Sequence, residues 1–140
     1  MTYLVDTGPL VSAFARKETK FKPWAEDLMA HLPLPLVTCE AVITEASHLL
    51  GSSVRLMEAI EMKLIVCRFD LQHEAGAVGQ LCAKYGDLPM DLADACLVRL
   101  YETFRDGSAS IVTVDRTDFT VYRTRKGRAL QCLFPPLEKK

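Results

Sequence analysis

Hydrophobic positions along this chain follow two alternating periods: short apolar, β-rich runs, and longer stretches in which every third or fourth residue is apolar. Tyr3 to Val5 is an apolar run closed by Asp6. Gly8-Pro9 and LVSAFA follow, which predicts a buried strand, a turn and a short helix. Residues 16 to 24, RKETKFKPW, are polar and basic and read as a mobile loop before a helix through Ala25, Leu28 and Met29, and the prolines of LPLPL mark the next connection. After Leu36-Val37, Thr38 stands where it can cap a helix in which Val42, Ala46 and Leu49 recur at i, i+4 and i+7, with Glu45 beside the stripe.

A helix from about Val54 to Met62 leads into LIVCRF, which has the length and branching of a buried strand, and Leu71 to Tyr85 is helical again. The next helix starts at Asp91 and buries Leu97, Leu100, Tyr101 and Phe104. It stops near Asp106-Gly107, before the β-branched SIVTV that ends at Asp115. Strand and helix alternate, so the pattern predicts an α/β fold: a central, mostly parallel sheet with helices on both faces. Residues 1–134 form one domain, and PPLEKK, residues 135–140, a short frayed C-terminal tail.

Composition narrows the function classes. A hydrophobic fraction of 49% with 25% charged residues suits a globular domain, and no apolar run is long enough to span a membrane. The formal net charge of −1 gives no global pull towards nucleic acid, so phosphate would have to be held by a local patch or a metal. Five cysteines, at 39, 67, 82, 96 and 132, include no Cys-x-x-Cys pair. That argues against a disulfide framework and a thiolate zinc site, and for a reducing cytoplasm. The first stretch has no basic leader and carries Asp6 inside its apolar segment, unlike a signal peptide.

Against this background four acids stand out: Asp6 in YLVDTGPL, Glu45 in AVITEASHLL, Asp94 in MDLADACLV and Asp115 in SIVTVDRTDF. A carboxylate among apolar neighbours needs a cation, a salt bridge or several donors to compensate it, and four such cases suggest a shared cation. In open α/β sheets ligands bind beyond the carboxyl ends of the strands, where Asp6 and Asp115 fall. Hard oxygen ligands favour Mg2+ or Mn2+, and such ions activate water for displacement at a phosphodiester. Each acid also has a structural explanation. Asp6 can begin a turn, Glu45 can be a solvated helix residue, Asp91 can cap the helix that holds Asp94, and Asp115 can form a turn with Asp118. His31, His48 and His73 show no metal-binding spacing.

As a set, the strand ending in Asp6-Thr7, the helix VITEASHLL, the segment MDLADACLV and TVDRTDF resemble the PIN domain and, within it, the small VapC-like ribonuclease toxins of type II toxin–antitoxin systems. The resemblance spans nearly the whole chain and implies a PIN fold. It further implies Mg2+- or Mn2+-dependent cleavage of RNA, restraint by a small antitoxin protein, and a homodimer. By matching position, Asp6, Glu45, Asp94 and Asp115 would bind metal directly or through water and orient the attacking hydroxide, with Asp91 and Asp118 as weaker candidates.

Thr7 and Thr113 stand beside these acids and can hydrogen-bond a carboxylate or a metal-bound water. Arg116 can hold substrate phosphate. So can a basic run containing Arg123, Arg125, Lys126 and Arg128, or another of Arg16, Lys17, Lys20 and Lys22. Phe21, Trp24, Phe119 and Tyr122 could stack bases, although core packing or an interface suits them better. Two alternatives stand: a non-catalytic PIN-fold module that binds RNA or protein, and an aspartic protease suggested by Asp6-Thr7-Gly8. The helical periodicity of residues 39–50 and 91–104 opposes the second, whose fold is almost all β.

Overall fold

The computed structural model describes residues 1–88 and 90–138. Five strands and seven helices are formed among them: β1 (Thr2–Val5), α1 (Thr7–Phe14), α2 (Lys22–His31), β2 (Leu36–Thr38), α3 (Glu40–Leu50), α4 (Val54–Glu61), β3 (Ile65–Cys67), α5 (Leu71–Lys84), α6 (Leu92–Glu102), β4 (Ala109–Val112), α7 (Arg116–Val121) and β5 (Cys132–Leu133). The sheet order is β3-β2-β1-β4-β5, and every pairing is parallel. The chain thus has the expected α/β fold. The aspartic-protease reading falls with it.

Parallel neighbours need crossover connections, and right-handed crossovers that run first towards β3 and then back towards β5 place helices on both faces. The central strands are accordingly apolar on both sides: Leu4, Val5, Ile111 and Val112 are essentially inaccessible. Leu97, Val98 and Leu100 of α6 join the same core, where truncation of a leucine to alanine costs about 2–5 kcal/mol.

Several local expectations change. Gly8-Pro9 is the first turn of α1 rather than a separate turn, a position where proline's missing N–H costs no helical bond. Gly8 is required there because a Cβ would collide with the side chain of Val114. Thr38 does not cap α3. It ends β2, fully buried, and its hydroxyl donates to the Val5 carbonyl at 2.8 Å, while Cys39 holds the cap position. Leu49 is 61% exposed instead of completing the buried stripe, since α3 buries only Val42, Ile43 and Ala46. Gly51 then ends α3 in the left-handed conformation, at φ 73°. β3 is an edge strand of three residues, shorter than LIVCRF suggested. Lys139 and Lys140 of the proposed tail lie outside the described residues.

Candidate active site

The register of the two central strands builds the site. β1 and β4 pair from Thr2↔Ala109 to Val5↔Val112, so the chain leaves both strands side by side, at Asp6 and Thr113. The Asp6 amide still donates to the Val112 carbonyl at 3.0 Å. Thr113, fully buried, donates its hydroxyl to Asp6 Oδ2 at 2.7 Å and accepts from the Asp115 amide at 3.0 Å. One threonine thus links two of the candidate acids, and the short approach of Gly8 to Val114 locks the start of α1 against the same loop.

Glu45 and Asp94 come from helices packed around this end. α3, which carries Glu45, packs on both α1, capped by Asp6, and α6, which carries Asp94. Asp91 caps α6 by accepting from the Asp94 amide at 2.8 Å, which sets the first turn, and the Tyr122 hydroxyl donates to Asp94 Oδ2 at 2.9 Å. Asp115 caps α7 in the same manner, accepting from the Asp118 amide at 2.9 Å, three residues beyond the end of β4. The cap foreseen for Asp91 and the turn foreseen between Asp115 and Asp118 are therefore real, and Asp115 follows a short loop rather than the strand itself.

Electrostatics link acids that share no hydrogen bond. Burial raises Asp6 to about 6 against the opposing pull of Thr113, and the carboxylates of Glu45 and Asp115 push it further up. Asp94 is raised to about 8, first by burial and then by the charges of Asp6 and Asp91. Asp118 is also raised, by burial and by Asp115. Each of these groups feels at least one other, so Asp6, Glu45, Asp91, Asp94, Asp115 and Asp118 share one region of negative potential. Among the described residues no lysine, arginine or histidine comes within 4.0 Å of any of the six carboxylates.

A divalent cation fits this donor set on charge and hardness. Among the described residues, however, no three His, Cys, Asp or Glu side chains are close enough together to hold an ion as they stand. Magnesium commonly keeps several waters and takes only one or two protein carboxylates, which is compatible with a looser acidic ring. Thr7 adds a buried hydroxyl with no hydrogen-bond partner among the described residues, next in sequence to Asp6. A bound water or ligand would satisfy it.

The other candidates are placed elsewhere or tied down. Arg116 stacks over Phe134, 4.5 Å from its ring centre, and donates to the Pro135 carbonyl at 2.9 Å. Arg123 donates to the Thr120 and Tyr122 carbonyls at 2.8 and 3.0 Å, fastening the end of α7. Arg125 pairs with Glu102 at 3.0 Å, at the far end of α6 from Asp94. Lys22 closes α1 by donating to the Ala15 carbonyl at 2.6 Å. Phe119 and Tyr122 are buried with ring centres 5.2 Å apart, edge to face, so they pack instead of stacking bases. The three histidines are exposed.

Sequence reasoning missed the role of the Tyr122 hydroxyl, 28 residues from its partner. It also missed the pairing of the basic run with acids distant in sequence, as in Arg128–Asp106 and Arg125–Glu102. Neither a known protein-family model nor a curated protein matches this chain.

Proposed function

We propose that the protein is a metal-dependent endoribonuclease of the PIN-like, VapC type, using Mg2+ or Mn2+ at the acidic end of the sheet. The observation that carries this reading is the uncompensated cluster: six carboxylates in one field, two with strongly raised pKa values, and no basic partner within reach among the described residues. Such a cluster is stable in its ionised form only if positive charge arrives from outside. Asp6, Glu45, Asp94 and Asp115 would hold the ion directly or through water. When bound, it lowers the pKa of its water and offsets charge developing on a phosphodiester.

The chain's own residues do the positioning. Thr113 fixes Asp6 and the loop to Asp115, Tyr122 fixes Asp94, and Asp91 sets the α6 turn that presents it. A bound metal would also draw Asp94, raised to about 8, into its ionised form at neutral pH. The RNA phosphate would reach this cluster from its solvent side, where Arg116 follows Asp115 in sequence. A small antitoxin, a homodimer and a cytoplasmic location belong to the same proposal. No helix of the described residues is long and apolar enough to cross a membrane.

The capping bonds of Asp91 and Asp115 favour one rival reading, a non-catalytic RNA- or protein-binding module in which those acids only shape helix ends. Incubation of metal-free protein with defined RNAs, with and without manganese, separates the two. Cleavage that requires manganese and disappears in Asp94→Asn supports the nuclease. Equal cutting by folded wild type and variant removes Asp94 from the chemistry, and no cutting with any RNA favours the module.

A further inference from the structure

A second charged hollow lies at the opposite, amino end of the sheet. It measures about 240 Å3 and opens between the last turn of α6, the Arg105-Asp106 turn before β4 and the turn from Thr124 to Arg128. Arg99, Arg105, Arg125, Lys126 and Arg128 line it, against two carboxylates among the described residues, Glu102 and Asp106. In a chain whose formal net charge is −1, this is a local reversal of sign.

The cations are held in two ways. Glu102, only 7% exposed, accepts from Arg99 Nη1 at 3.3 Å and from Arg125 Nε at 3.0 Å, while Glu74 accepts from Arg99 Nε at 2.5 Å and Gln80 from Arg125 Nη1 at 2.9 Å. A guanidinium carries five N–H donors, so these contacts fix both side chains and leave further donors unused. Arg105 and Lys126 are exposed, and among the described residues neither has a carboxylate within 4.0 Å. Two oriented guanidiniums and two unpaired cations around a concave floor match a compact, multiply charged oxyanion. Asp94 stands near the start of α6 and Glu102 at its end, about 12 Å apart along the helix at 1.5 Å per residue, so this is not part of the acidic site.

We infer that this hollow is a phosphate-group site, filled by free phosphate or by a backbone phosphate of a bound RNA. It needs no cleavage chemistry and stands whether or not the protein is a nuclease. The test compares wild type with Arg105→Gln/Lys126→Gln and with a charge-matched control, Lys63→Gln/Arg68→Gln, whose side chains are exposed on the far edge of the sheet. Binding of inorganic phosphate is read by calorimetry, and binding of labelled single-stranded RNA by anisotropy across a salt series, both in EDTA so that RNA stays intact.

The expected result is a several-fold loss of affinity in the pocket variant alone. For RNA the salt slope should also shrink by roughly 0.7 for each phosphate contact removed from a single strand. Loss for RNA only identifies the backbone as the source, and loss for inorganic phosphate only identifies the free anion. Unchanged binding of both ligands, or an equal loss in the control, overturns the inference. Should the double variant fail to fold, Lys126→Gln alone carries the same comparison.

Discussion

The two ends of the sheet treat their acids in opposite ways. At the amino end, Glu102 and Asp106 each meet an arginine, and Glu102 is engaged by two. At the carboxyl end, Asp6, Glu45, Asp94 and Asp115 meet threonine, tyrosine or backbone donors, or one another's fields, but among the described residues no cation. Internal neutralisation makes an acid a structural strut. Its lack leaves electrostatic stress that an external cation can relieve, and this is why the carboxyl end is the candidate for chemistry.

The difference breaks most visibly in activity. Asp94→Asn or Asp6→Asn should lower manganese-dependent RNA cleavage by more than the roughly 10–100-fold typical of residues that merely support a metal ligand, measured by gel mapping of cut ends. At the other end the effect is on folding. Glu102→Ala strands Arg99 and Arg125 and should cost about 2–3 kcal/mol in denaturant melts, in line with lost charge-assisted hydrogen bonds. Asp94→Asn should do the reverse in EDTA above neutral pH, raising the melting temperature by relieving repulsion.

Tyr122→Phe should keep the fold and its edge-to-face packing while removing the donor to Asp94, and should reduce cleavage by up to about tenfold. The smallest effect is the pH dependence of metal-free stability. The folded state holds protons on Asp94 and Asp6 that the unfolded chain releases near 3.8. Their stabilisation is therefore complete below that value and is lost as pH rises through about 6 for Asp6 and about 8 for Asp94. Melts across this range should show declining stability in wild type and a flatter profile in Asp94→Asn, whereas saturating Mn2+ should cancel the decline.

Much of this arrangement was legible in the chain. The apolar run before Asp6 and the β-branched run before Asp115 marked the two central strands, and the 3.6-residue period exposed α5 and α6 together with the cap at Asp91. β2 and β5 were not legible, because strands of three and two residues carry little local signal and exist through pairing with β1 and β4. Leu49 misled because helical periodicity says which residues share a face but not where the neighbouring element ends. Thr38 misled because its hydroxyl found a carbonyl on β1 before it could cap a helix. The acids could be picked singly, yet the Tyr122 hydroxyl and the threonine bridge depend on contacts 28 and 107 residues apart.

Manganese titration of the metal-free protein, followed by calorimetry beside Asp6→Asn and Asp94→Asn, tests most directly whether the acidic end is a cation site. Saturable binding in wild type that weakens sharply in both folded variants is the expected result. Absence of binding in wild type, or equal binding in all three proteins, would contradict it.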